Sequence, residues 1–288
     1  MSDSGPSRAK PKTEKQLGRL VFGYAEASGL GVRRVRHRVS SMAFLGALER
    51  VREEDSPQRF LVKGGMACEL RFQDRARTTR DLDALFRGSL DELLTDLDTA
   101  FATPYSGFSF NYEQPEAIRE TGGHRFDVKL AYEGRSWATL RVEVSSPEGE
   151  VHEAEALPAL SLGEFGLAGP TAVACLSLRF QVAQKIHACT ERFPDRENER
   201  AHDLIDLQLM EGLVEDYGRV KEACIEIFDL RKTHPWPPTL TPEPTWADTY
   251  KNLVAELDLP TQDIDDAIAQ VQALIDKVQR AKLPNDAA

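Results

Sequence analysis

The chain of 288 residues is poor in several features that would narrow its class. No apolar run approaches the roughly 20 residues that a bilayer-spanning helix needs, so no membrane span is expected. The opening stretch MSDSGPSRAKPKTEK lacks an apolar segment, so no secretory signal is read there. Its 4 cysteines, Cys68, Cys175, Cys189 and Cys224, are scattered and form no CxxC pair, which points to reduced thiols in a cytoplasmic protein. Neither His187 nor His202 has a second His or Cys at ligand spacing, so both read as structural. There is no internal repeat and no low-complexity tract. Positive charge is in deficit, 36 Lys and Arg against 47 Asp and Glu, which argues against sequence-blind nucleic-acid binding.

The length allows a large core and suggests two domains. Charge is unevenly spread. Residues 1–52 hold 11 Lys and Arg against 4 Asp and Glu, a net +7 attached to a body of −18. A basic arm on an acidic body suits one specific polyanion. The run Arg33-Arg34-Val35-Arg36-His37-Arg38 reads first as a solvated helix face, and second as a contact for RNA phosphates.

Residues 1–13 are polar and predict a disordered tail. A helix follows over about 14–27. Ser40 or Ser41 would cap another that runs to about Glu54, with Met42, Leu45, Leu48 and Val51 inward. Phe60-Leu61-Val62 is a short strand ending at Gly64-Gly65, with a helix from about Met66 to Phe72. A second short strand carries Asp81 and Asp83. Residues 90–102 read as an amphipathic helix, and 108–145 as strands. The Pro-, Gly- and Glu-rich stretch 146–170 reads as the domain boundary. Beyond it the chain reads as helical, over about 170–192, 199–214, 218–228 and from about Asp263, with Pro235 to Pro244 as a loop.

The chemistry gathers around the first of these units. Glycine turns sharply and leaves amides bare for an anion. Side chains on a strand repeat every second residue, so Asp81 and Asp83 share a face. Paired carboxylates repel and call for a cation, and Mg²⁺ is often held by one or two carboxylates plus substrate phosphates. Glu143, in the alternating Arg141-Val142-Glu143-Val144-Ser145, is a third acid able to complete a metal site or act as base. Gln181 and Lys185 share a helix face, where Lys185 suits phosphate. Asp203 and Asp206 share another, and Asp203 could pair with Lys185, orient substrate or serve as base. Taken singly, each residue has a plain structural reading as turn, cap or surface charge. Their joint order reads as nucleotidyl transfer.

The segments FLVKGGMACEL (60–70), RTTRDLDALF (77–86), HRFDVKLAYEGRSWATLRVEVS (124–145) and AQKIHACTERFPDRENERAHDLIDL (183–207) resemble the AbiE-type (AbiEii/AbiGii) nucleotidyltransferase toxins of the DNA polymerase β-like superfamily. The resemblance implies an α/β (α+β) fold. A mixed-sheet nucleotidyltransferase domain flanked by helices would span 14–165, and a helical domain over 166–288 would complete the active site. It implies that Asp81 and Asp83 ligate Mg²⁺ (or Mn²⁺). Gly64 and Gly65, with Lys63 beside them, would meet the NTP triphosphate, and Arg80 would assist in binding substrate. Glu143 falls where the superfamily often has its third acid. Lys185 would bind the nucleotide phosphates, Asp203 would be the acid of the closing motif, and Asp206 would be structural. His202 stands where many relatives carry lysine.

The implied activity is transfer of NMP from NTP to an acceptor, with the tRNA 3′ end as the favoured one and growth arrest as the outcome. A cognate antitoxin would be the partner. Two other readings stay open: transfer to a protein or a small molecule such as an antibiotic, and a non-catalytic binding module.

Overall fold

The computed structural model describes residues 8–51, 58–118, 122–148, 153–255, 257 and 263–284. The chain divides into two units. The first comprises the polypeptide up to Gln73, Thr78–Pro147 and Ala154–Cys175. The second comprises Asp74–Arg77, Glu148–Glu153 and the chain from Leu176 onward.

The first unit opens with two helices. Helix α1 (Glu14–Ser28) starts at Thr13, whose hydroxyl accepts from the Gln16 amide, and ends on left-handed Gly29. Helix α2 runs unbroken from Val32 to Val51. A short strand β1 (Phe60–Val62) leads into α3 (Gly64–Phe72), and β2 (Asp81–Phe86) leads into α4 (Leu90–Phe101). Ser89 and Glu92 form a reciprocal capping box at the start of α4. Strands β3 (Phe108–Tyr112), β4 (Glu116–Ile118), β5 (Gly123–Tyr132), β6 (Arg135–Ser145), β7 (Ala154–Pro158) and β8 (Ala172–Leu176) follow.

Together the strands form a mixed sheet in the order β3-β5-β6-β2-β1-β8-β7, with β4 beside β5. Two parallel pairings matter for the site. Strand β2 lies parallel to β6, with Asp81 beside Arg141 and Asp83 beside Glu143. Strand β1 lies antiparallel to β2 and parallel to β8. Period-two alternation gives the sheet one apolar face. Leu82, Ala84, Phe126, Val128, Leu130, Leu140 and Val142 are buried in one core with Val39, Met42 and Phe44 of α2 and Leu93 and Leu97 of α4. Arg125 and Arg141 are exposed, and Asp81, Asp83, Asp127 and Glu143 are half-buried, at the alternate positions.

Several expectations change. Ser40 and Ser41 do not cap a helix; they lie inside α2. The Ser40 hydroxyl donates back to the Arg36 carbonyl at 2.9 Å and accepts from the Trp137 indole at 3.1 Å. The expected extension to Glu54 lies outside the described residues. The basic run of α2 is not a solvated face either. Arg34 and Arg38 are buried, and their Nε atoms donate to the two oxygens of fully buried Glu69 at 2.8 and 3.4 Å. Both also donate to the Gln73 carbonyl, and Arg36 lies over the Trp137 ring at 4.2 Å. Residues 1–7 of the expected tail lie outside the described residues. Residues 8–13 are placed, with the Tyr132 hydroxyl donating to the Pro11 carbonyl at 2.7 Å and Lys10 paired with Glu133.

The helix expected from Pro170 begins later. Ala172–Leu176 joins the sheet as β8, because Val173 and Cys175 bury themselves beside β1. Helix α5 (Leu178–Thr190) follows, the first of the second unit, with α6 (Ala201–Glu211), α7 (Tyr217–Arg231), α8 (Trp246–Val254) and α9 (Ile264–Arg280). Helix α9 buries a stripe of Ala267, Val271, Leu274, Ile275 and Val278. Helix α8 buries Trp246, Tyr250 and Val254 at helical spacing, and the Trp246 indole donates to the Asn198 carbonyl. No helix among the described residues is long and apolar enough to cross a membrane.

Candidate active site

In the first unit the site starts where β1 ends. The Lys63 amide donates to the Asp83 carbonyl at 2.8 Å, which extends the β1–β2 ladder by one residue. Gly64 then turns with φ +61°, and α3 begins there. The side chain of the N-cap residue Lys63 makes no cap at the start of α3. Such a helix start favours an anion. Both glycines are demanded by close approach. A Cβ on Gly64 would stand 2.2 Å from Asp83 Oδ2, and one on Gly65 would stand 2.6 Å from Thr79 Oγ1. Lys63 itself reaches across to β6, where Nζ donates to Ser145 Oγ at 2.8 Å. Thr79 donates to the Asp81 carbonyl at 3.2 Å, and Arg80 between them is exposed.

Asp81 and Asp83 lie at half-buried positions of β2, with buried Leu82 between them pointing the other way. Burial pushes the Asp81 carboxyl above its usual range, and repulsion from Glu143 adds to this; Arg141, Arg125 and Arg80 pull it back. Asp81 is thus a carboxylate short of positive charge. Glu143 is not: Arg125 donates to its Oε1 at 2.7 Å from Nε, with the second guanidinium nitrogen at 2.6 Å. Arg141 is likewise turned to Asp127 at 3.0 Å.

The donor set fits a hard divalent cation that shares its shell with phosphate oxygens. Two carboxylates face the same side, one of them under-compensated, beside the start of a helix. No closed cluster of three or more His, Cys, Asp or Glu side chains stands ready for a metal among the described residues.

The second unit has its own charged cluster. Lys185 of α5 is 8% exposed, and its ammonium lies 2.6 Å from both Asp203 Oδ1 and Asp206 Oδ2. A surface lysine would not sit so deep. Asp203 and Asp206 are three apart on α6, so one ammonium meets both. Arg77 adds a second cation, donating to Asp206 Oδ2 at 3.2 Å from Nε and 3.0 Å from NH2. Burial works against ionisation of Asp203, but the Lys185 ammonium, helped by His202 and Arg200, outweighs it and holds the carboxyl well below the usual range. Asp206 is lowered too, with Lys185 and Arg77 overcoming burial. Gln181, one turn before Lys185, is turned away to the Leu176 carbonyl at 2.7 Å. His187 is buried and bonds to Thr233 and Arg231, a helix-packing role.

The residues singled out from sequence therefore fall into two sets, each gathered within its own unit. Lys63, Gly64, Gly65, Asp81, Asp83 and Glu143 come together in the first, with Arg80 at its edge. Lys185, Asp203 and Asp206 come together in the second. Sequence reasoning passed over Thr79, Ser145 and Arg77. The first two were legible as the neighbour and the alternating partner of named acids. Arg77 was not, because its carboxylate lies more than a hundred residues away.

A strand–Gly-Gly–helix unit beside a strand bearing two aligned aspartates, with a helical unit carrying a buried lysine–aspartate pair, defines a nucleotidyltransferase. The model of the AbiEii family, nucleotidyl transferase toxins of type IV toxin–antitoxin systems, matches residues 46–277, and the chain belongs to that family. MenT4, a nucleotidyltransferase toxin from Mycobacterium tuberculosis, is similar in structure over 94% of this chain and 90% of its own, with a TM-score of 0.61 at 16% identity. A putative nucleotidyltransferase from H. pylori is similar over 87% of this chain and 96% of its own, at 16% identity and a TM-score of 0.47. At such identity the likeness to MenT4 shows a shared fold. No curated protein matches the chain.

Proposed function

We propose that this AbiEii toxin transfers a nucleoside monophosphate from an NTP to an acceptor hydroxyl, with the tRNA 3′ end as acceptor, and so stops translation and growth. The observation that carries the reading is the junction of Gly64 with Asp83, where the start of α3 packs directly on the aspartate strand that also carries the under-compensated Asp81.

Asp81 and Asp83 would hold Mg²⁺ (or Mn²⁺), with Glu143 in reserve behind its bond to Arg125. When bound, that ion neutralises charge growing on the phosphates and leaving pyrophosphate. Lys63, Gly64 and Gly65 receive the triphosphate from the helix side, where amides need no reorganisation as charge builds. Arg80, exposed next to Asp81, offers a further cation to the substrate. The family resemblance assigns Lys185 to the nucleotide phosphates and Asp203 to the closing motif; within the second unit Asp203 keeps the ammonium oriented.

The acceptor rests on the family resemblance. The basic run of α2 lends it little, since Arg34 and Arg38 are buried on Glu69. Type IV membership implies a cognate antitoxin as partner, and a cytoplasmic location follows from the same reading. The test is incubation with each of the four labelled NTPs, Mg²⁺, total RNA and a protein extract side by side. Label in tRNA supports the proposal; label only in protein or a small molecule moves the acceptor; no label anywhere, with Asp81→Ala as toxic as wild type, ends it.

A further inference from the structure

In the first unit, the face of the sheet that carries the aspartates holds two rows of charge across β2, β6 and β5. Asp81, Arg141 and Asp127 form one row, and Asp83, Glu143 and Arg125 the next. Neighbouring strands lie about 4.8 Å apart, so each β6 side chain stands between a β2 aspartate and a β5 partner. Both β6 side chains turn to β5. Arg141 donates from Nε to Asp127 Oδ1 at 3.0 Å and from a terminal nitrogen to Oδ2 at 3.4 Å. Glu143 takes two Arg125 nitrogens on Oε1.

The side that Arg141 takes matters, because Asp81 lies within its electrostatic reach. The bond to Asp127 comes first in holding the guanidinium charged, and Asp81 and Glu143 add to it. Burial and Glu143 raise the Asp81 carboxyl, and Arg141 leads the cations that pull it back. The Arg141 side chain is 51% exposed, so packing does not fix its direction. Among the described residues its guanidinium bonds to Asp127 alone.

We infer that Asp127 is a positioning residue of the cation site: it holds the Arg141 guanidinium on the β5 side and so keeps Asp81 open to the metal. This rests on the proposed function above, in which Asp81 and Asp83 ligate the ion. A guanidinium grips both oxygens of a carboxylate at once. Released from Asp127, Arg141 has Asp81 beside it in the same row. A pair formed there covers the oxygens that a divalent cation needs, and the ion must displace it to bind. The bond to Asp127 removes this competitor while leaving its positive charge on the sheet.

The test is Mn²⁺ binding to the full-length chain without nucleotide, read from the electron paramagnetic resonance signal of the free ion. Asp127→Asn is expected to weaken Mn²⁺ binding about fivefold, the scale of a well-formed exposed ion pair. Adding Arg141→Met to that variant should restore wild-type affinity. Adding Lys129→Met instead should not. Lys129 lies two residues along β5 and opposite Thr139, so its loss removes the same charge from the same strand without clearing Asp81. If Asp127→Asn fails to fold, as judged by its melt, Asp127→Ser takes its place under the same criteria. Unchanged affinity in the single variant, a loss that survives Arg141→Met, or equal rescue by Lys129→Met overturns the inference. If that happens while Asp81→Asn abolishes Mn²⁺ binding, the cation site stands and only the role of Asp127 is wrong. If Asp81→Asn binds Mn²⁺ as tightly as wild type, the cation-site reading falls and takes this inference with it.

Discussion

Gly64 packs so closely on Asp83 that a single added methyl would sit 2.2 Å from the carboxylate oxygen. The turn and the acid therefore cannot vary independently. Replacing Gly64 by alanine must either push Asp83 out of line with Asp81 or open the turn, and φ at +61° adds strain of about 1–2 kcal/mol for any L side chain. Displacement of a reacting group by about 1 Å is able to cost about 100-fold in rate. Gly64→Ala is thus expected to lower kcat/KM for NTP by about 100-fold while the urea midpoint drops only modestly. Equal activity in the two chains would remove Gly64 from the site.

Asp81 carries an opposite expectation for stability and activity. Its carboxyl is raised in the fold by burial and by Glu143, so the folded state holds a proton more readily than the unfolded chain does. The ionised form at neutral pH therefore opposes folding, and this penalty fades as pH falls through the carboxylate range. Asp81→Asn should leave the melting temperature without metal equal to or above wild type. Transfer should fall about 1,000-fold, the equivalent of several kcal/mol of lost charge stabilisation. Thermal melts with and without Mg²⁺ check the pair of effects: wild type should gain stability on adding Mg²⁺, and the variant should not. A variant that is less stable and equally responsive to Mg²⁺ would show that Asp81 is a packing residue.

The Lys185 ammonium is shared by two buried acids, Asp203 and Asp206. Removing it leaves Asp203 compensated only weakly and Asp206 dependent on Arg77. Lys185→Met should cost about 3–5 kcal/mol, the usual penalty for breaking a buried pair from one side. The pH response should also change sign. In wild type both acids titrate below their unfolded values, so their stabilisation is present at neutral pH and is lost as pH falls through the carboxylate range. Without Lys185, burial dominates Asp203 and raises its pKa, so mild acid should stabilise the variant. Urea midpoints measured from pH 8 down to pH 5 distinguish the two; parallel curves would refute the account.

Much of this arrangement was legible because it depends on short periods. Asp81 and Asp83 share a face through strand alternation, the Gly-Gly turn follows an apolar run, and α4 and α9 show their buried stripes at helical spacing. What was misread depends on partners far away in the chain. Arg34 and Arg38 look like a solvated row until Glu69 is brought beneath them. The run Ala172–Leu176 is apolar and too short for its period to separate strand from helix, and only its neighbour β1 decides. By contrast, Asp206, expected from the resemblance to be structural and from its spacing to share a face with Asp203, is fully buried and shares Lys185 with it.

The Arg34–Glu69–Arg38 triad also decides where RNA does not bind. Glu69 is fully buried, with Arg34 at 6% and Arg38 at 7% exposure, so neither guanidinium has a free face for a phosphate. Glu69→Leu strands two buried cations and should destabilise the first unit by about 3–5 kcal/mol. Replacing all three together by apolar residues of similar volume, as in Arg34→Met, Glu69→Leu and Arg38→Met, removes the uncompensated charge and should recover most of that loss. Two charges fewer on an RNA-contacting surface would flatten the salt dependence of binding by about two phosphate contacts. Here no such change is expected. Filter binding of bulk tRNA across a salt series should give the same slope for the triple variant and wild type. A shallower slope would return the α2 arginines to the RNA surface and undo the structural reading of that helix.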